Sequence, residues 1–175
     1  MRRVVGLVLG LALTSPALAQ QPAGHATASC AAMDVDLPGE LRNWNGGAGI
    51  TTATGADSLA NAELTIGKGY EAVLLNTPKV SFSVQPEKPG GSGAYAGLFE
   101  FNVATEGSYA VALGSAAWID VLEDGKSIRS SSFGHGPECT TIRKIVVFPL
   151  KAGKHVLQIS ANGEAKLKLM VAKKP

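Results

Sequence analysis

The feature that most constrains this chain is an alternation of apolar and polar side chains at period two, repeated along its second half. Phe99, Phe101 and Val103 alternate with Glu100 and Asn102. Leu167, Leu169 and Val171 alternate with Lys166 and Lys168. Tyr109, Val111 and Leu113 alternate with small residues, and Val80, Phe82 and Val84 with Lys79, Ser81, Ser83 and Gln85. Successive side chains of a strand point to opposite faces, so each run predicts a strand with one side in a core and the other toward water. Segments 70–75, 117–122, 142–148 and 155–159 read as further strands, some apolar on both sides as central strands are. Glu106-Gly107, Glu123-Asp124-Gly125, Leu150-Lys151-Ala152-Gly153 and Asn162-Gly163 punctuate the runs as hairpin turns would. Strands about ten residues apart with no helix between them predict an all-β fold. The expectation is one antiparallel β-sandwich, jelly-roll-like, of roughly eight to ten strands.

The N-terminus has a different character. Arg2 and Arg3 precede an apolar run over 4–13, and Ala17-Leu18-Ala19 supplies small residues in an A-x-A cleavage pattern. Residues 1–19 are therefore expected to be a signal peptide, too short to span a bilayer as a stable helix. Residues 20–32 read as a flexible lead-in and 33–175 as the sandwich domain, with no transmembrane segment in the mature protein. The expected location is the periplasm or the cell exterior. Cys30 and Cys139 would meet an oxidising compartment there and are expected to form a disulfide. A metal or redox pair is the alternative, although the C-x-x-C spacing of thioredoxin-like sites is absent. Between residues 33 and 62 lie a turn at 37–41, an isolated Trp44, a breaker cluster Asn45-Gly46-Gly47 and room for one helical turn at 56–62.

Charge narrows the partners. Removing Arg2 and Arg3 with the leader leaves equal numbers of basic and acidic side chains, which disfavours a nucleic-acid partner. The charges are segregated, with 4 basic and 12 acidic residues over 20–125 and 10 basic and 2 acidic over 126–175. Either opposed strands pair these charges across the fold, or a basic face awaits an anionic glycan or surface.

Few residues suggest chemistry. Gly91-x-Gly93-x-x-Ala96 nominally matches a dinucleotide loop, but a predicted strand follows it where that motif needs a helix. It sits in the Pro- and Gly-rich segment 86–95, which is expected to be an exposed loop. No G-x-S-x-G elbow is present, which leaves Ser132, His135 and Asp120 as the one conceivable nucleophilic set. His135 and Glu138 lie close together beside Cys139 in the polar segment 130–139, and His155 comes from a strand that could approach them. Two His and a carboxylate can hold iron with open positions. The alternative is a loop pinned by Cys139 with His135 and Glu138 solvated. On the strand Trp118-Ile119-Asp120-Val121, Trp118 and Asp120 share one face if Ile119 and Val121 face the core. A Trp beside an Asp can serve as a carbohydrate platform, the ring stacking on the sugar while the acid takes hydroxyls. Otherwise Trp118 lies under a loop and Asp120 pairs with Arg129 or Arg143.

Two resemblances add to this reading. The pattern Phe-x-Phe-x-Val, turn, Gly-x-Tyr-x-Val-x-Leu and the later run from Phe148 to Ile159 resemble β-sandwich modules of the pre-peptidase C-terminal type, over roughly residues 96–171. The runs Pro86-Glu87-Lys88-Pro89-Gly90-Gly91-Ser92, Gly97-Leu98-Phe99, Ala117-Trp118-Ile119-Asp120-Val121 and His135-Gly136-Pro137 are similar to those of a group of small exported bacterial proteins. So are Cys139 and Ile142-Arg143-Lys144, and the likeness spans most of the mature chain. Members often carry the automatic name homogentisate 1,2-dioxygenase. What that name implies is an iron site, for which His135, His155 and Glu138 would be the ligand set in this chain. The enzyme of that name is a much larger cytosolic cupin, and this chain lacks a cupin-type His cluster. The resemblance therefore implies a shared small β fold with an unassigned role. The expected function is an exported non-catalytic binding module for a glycan or cell-envelope component, with no cofactor, met at Trp118, Asp120 and His135. A small iron-dependent enzyme and an envelope structural or stress protein are the alternatives.

Overall fold

A computed structural model describes residues 30–175; the segment expected to be a signal peptide, 1–19, and most of the expected lead-in, 20–32, lie outside the described residues. The domain is an all-β sandwich of two sheets. In chain order its strands are β1 (Ala48–Thr51), β2 (Glu63–Leu64), β3 (Gly69–Val73), β4 (Leu75–Asn76), β5 (Tyr95–Val103) and β6 (Gly107–Leu113). They continue with β7 (Trp118–Glu123), β8 (Lys126–Ser127), β9 (Ser132–Gly134), β10 (Lys144–Leu150), β11 (Gly153–Asn162) and β12 (Lys166–Lys173). The total exceeds the expected eight to ten because β2, β4 and β8 are two-residue strands.

One sheet runs β1-β3-β12-β6-β10-β9 and the other β2-β5-β11-β7-β8, with β4 pairing on β5. The order β3-β12-β6-β10 facing β5-β11-β7-β8 is that of a jelly roll, first strand beside last. Two pairs depart from the antiparallel expectation, β1 with β3 and β2 with β5, which are parallel. Their connections are long enough for the crossover that parallel neighbours require, and one carries the short helical turn expected near 56–62, a 3-10 segment at Ala56–Asn61.

The turns also need correction. Of the four expected turns only Asp124-Gly125 closes a hairpin, between β7 and β8, with positive φ at both residues as a type I′ turn demands. The turns at 104–106, 151–152 and 163–165 instead carry the chain from one sheet to the other. A second correction concerns 80–84, which forms no strand although its burial alternates as expected. Its backbone is engaged by other partners. Ser81 N–H donates to the Thr54 carbonyl at 2.7 Å, and Gln158 Nε2 donates to the Val84 carbonyl at 2.9 Å.

The core lies between the sheets. Phe99, Phe101 and Val103 of β5, Val111 and Leu113 of β6, Leu157 and Ile159 of β11, and Leu169 and Val171 of β12 are all buried there. Each such side chain is worth about 1.5–3 kcal/mol of apolar burial. The other side of β6 and β12 is apolar as well, because Ala112, Met170 and Ala172 meet a cover formed by Leu41, Trp44 and Ile142. Trp44, isolated in sequence, is fully buried in this second cluster. Cys30 and Cys139 form the expected disulfide, Cα–Cα 5.4 Å across 109 residues. It fastens the start of the described chain to the loop before β10.

Part of the charge segregation resolves into pairing, which engages four of the ten bases of 126–175. Each of the four ion pairs among the described residues joins a base from 126–175 to an acid from 20–125: Lys151–Glu123, Lys154–Glu100, Lys168–Asp34 and Lys174–Glu40. Glu40 is held below the usual carboxylate range, chiefly by the hydrogen bond from Lys174. Among the described residues no helix is long and apolar enough to cross a membrane.

Candidate functional site: a groove at the open edge of the sandwich

Ile119 and Val121 turn into the core, so Trp118 and Asp120 share the opposite face of β7, as their spacing requires. Trp118 Nε1 donates to Asp120 Oδ2 at 3.1 Å. Neither Arg129 nor Arg143 forms an ion pair with Asp120. Burial raises the Asp120 carboxyl above its ordinary pKa; the Trp118 hydrogen bond opposes this and the nearby Glu87 carboxylate adds to it.

What lies over Trp118 is decided by the neighbouring strand. On β11, Gln158 pairs with Asp120 and Ser160 with Trp118. Both are almost fully buried although they face away from the sandwich core. Gln158 donates to the Val84 carbonyl and Ser160 Oγ donates to the Lys88 carbonyl at 2.8 Å. These two polar side chains bind segment 84–88 onto the sheet. The result puts Lys88 Nζ over the Trp118 ring, 4.9 Å from its centroid. Lys144, at the start of β10, places its Nζ 5.6 Å from the same centroid while donating to the Ala117 carbonyl at 2.8 Å. Burial lowers the Lys144 pKa, and the positive charge of Lys88 adds to the effect. Trp118 is thus a half-buried ring with two ammonium groups over it, not the bare platform that the sequence suggests.

The bare aromatic is Phe133. It pairs with Val146 across the β9–β10 ladder, and directly paired residues share a face. Val146 is buried in the core, whereas Phe133 is 81% exposed. Strand β9 is the edge of its sheet, and nothing in the facing sheet covers Phe133. The sandwich is therefore open along this edge. A groove of about 490 Å³ follows, lined by Trp118, Asp120, Glu87, Lys88, Arg129 and Lys144 as its polar wall and by Ile128, Phe133, Val146 and Phe148 as its apolar one. Phe133 could have been suspected as the one large apolar residue in a polar segment. Lys88 and Lys144 carry no signal in sequence that would place them on one indole.

The remaining candidates do not converge. His135 is exposed, with Nδ1 3.4 Å from the Arg143 carbonyl, and is not among the groove residues. Glu138 is exposed beside the disulfide, in a separate hollow with Cys30 and Cys139. His155 is 1% exposed. Its ring stacks on Phe101 with centroids 5.5 Å apart, and its Nδ1 lies 3.1 Å from the Gly153 carbonyl. His155 is thus in phase with Leu157 and Ile159 on the core face, while His135 and Glu138 are in solvent. These three residues do not fit one iron, and among the described residues no three His, Cys, Asp or Glu side chains lie together to hold a metal ion. Nor does any hydrogen bond among the described residues connect Ser132, His135 and Asp120.

No family model matches the chain, and no curated protein matches it.

Proposed function

We propose that this chain is an exported, non-catalytic binding module whose ligand is a glycan of the cell envelope, held in the groove between β7 and β9. The observation that carries this reading is Phe133, a core-face residue left exposed beside the Trp118–Asp120 pair. An uncovered aromatic side chain forgoes the stabilisation of burial, and its ring is suited to the C–H face of a sugar. Asp120 and the ammonium groups of Lys88 and Lys144 supply acceptors and donors for hydroxyls along the same wall. The signal-peptide pattern and the Cys30–Cys139 bridge support export.

A glycan array probed with the purified protein and its Phe133→Ala and Trp118→Ala variants tests the reading. At least one glycan should bind, with a loss of about tenfold or more in each variant. An array without binders, or binding that both variants retain in full, overturns it.

A further inference from the structure

The groove differs from the rest of the domain in that two of its cations share one aromatic ring. Lys151, Lys154, Lys168 and Lys174 each have a carboxylate within ion-pair distance. Arg42, Lys68, Lys79, Lys126, Arg143, Lys166 and Lys173 have none among the described residues, and neither do Lys88, Arg129 and Lys144, which line the groove. Two of them share the Trp118 ring, and their mutual repulsion is felt at Lys144. Like charges held together without a counterion are unfavourable, and an anion entering between them removes that cost. The groove does not suit every anion, however. Glu87 and Asp120 belong to the same wall, so its three bases face two acids. A densely charged polyanion would meet those carboxylates at close range. A chain with one negative charge per sugar would not, because hydroxyls can lie against Asp120 while each carboxylate meets a lysine. The apolar wall of Ile128, Phe133 and Phe148 fits the C–H faces of such a chain.

Resting on the glycan reading of the same groove, we infer that the ligand is an acidic polysaccharide of the uronate type, its carboxylates taken by Lys88, Lys144 and Arg129 and its ring faces by Phe133. Specificity for acid over neutral sugars resides in the two lysines on Trp118. Phe133 serves both kinds of sugar.

Isothermal titration with polygalacturonate oligosaccharides, with the same oligosaccharides after carboxyl reduction, and with phosphatidylglycerol vesicles tests this. The acidic oligosaccharide should bind, and its carboxyl-reduced form should bind at least tenfold more weakly. Lys88→Met, on an exposed loop whose attachment runs through its backbone, should weaken the acidic ligand about tenfold and leave the neutral one unchanged. Lys154→Met, which removes a cation outside the groove, should change neither. Equal affinity for the acidic and reduced forms overturns the uronate assignment while leaving the glycan module standing. Binding to the vesicles alone, lost in Phe133→Ala, overturns both and makes the groove a membrane contact. Weakening by Lys154→Met as large as by Lys88→Met overturns the site, since net charge would then be the cause.

Discussion

Trp118 and Asp120, two residues apart on one strand, are joined by a hydrogen bond from the indole Nε1 to Oδ2 at 3.1 Å. That bond steadies a carboxylate which burial otherwise disfavours. Because the folded-state pKa of Asp120 is raised, folding takes up protons as the pH passes through its titration range. The favourable side of this linkage is fully present below the ordinary aspartate value of about 3.9 and is lost as the pH rises through the folded-state value. Asp120→Asn keeps an acceptor for Trp118 and removes the charge. It should match the parent in thermal stability near pH 3 and exceed it near pH 7. Melting curves across that range check this, and an advantage that is independent of pH would rule out the buried charge as its cause.

The disulfide closes a span of 109 residues. In the chain-entropy description such a closure is worth about 4–5 kcal/mol. A Cys30→Ser, Cys139→Ser double variant should lose about that much in urea unfolding, with the same fold by circular dichroism. An unchanged midpoint would mean that the noncovalent contacts of this arm already hold it.

Those contacts centre on Thr141. Its Oγ1 accepts from Trp44 Nε1 at 2.8 Å and donates to Asp34 Oδ2 at 2.6 Å, while its backbone N–H donates to Asp34 Oδ1 at 2.6 Å. Trp44 is fully buried, so Thr141→Val leaves its indole N–H without a partner. The expected loss is about 1–3 kcal/mol by urea unfolding. Thr141→Ser, which keeps the hydroxyl, should lose much less; equal losses would assign the effect to packing.

His155 offers a different test. The Gly153 carbonyl can only accept, so Nδ1 carries the proton of that hydrogen bond, and the buried Nε2 has no partner among the described residues. His155→Leu removes an unsatisfied polar atom at little change in volume and should lie within about 1 kcal/mol of the parent, on either side. His155→Ala opens a cavity against Phe101 and should cost about 2–4 kcal/mol. A severe loss in the leucine variant would show that the imidazole has a polar role in the core.

The facing of side chains was legible wherever period two held. Phe99, Phe101, Leu157, Ile159, Leu169 and Val171 are buried as the alternation required, and Trp118 shares a face with Asp120 for the same reason. With two cysteines, the bridge was legible too. The burial of His155 beside Leu157 could have been read from the same periodicity, and reading it so would have withdrawn it from a ligand set. Segment 80–84 marks the limit of the signal. Its side chains alternate, but Gln158 and Thr54 claim its backbone before any strand can.

By itself, then, the sequence determined which side chains face inward, because alternation is a local property of each strand's backbone. Only the tertiary structure decided which strands are neighbours, which turns cross between the sheets, and that β9 reaches past its cover. The groove depends on those non-local choices. Lys88, Trp118, Phe133 and Lys144 come from four separate segments, and no local pattern records that the sheet order draws them to one edge.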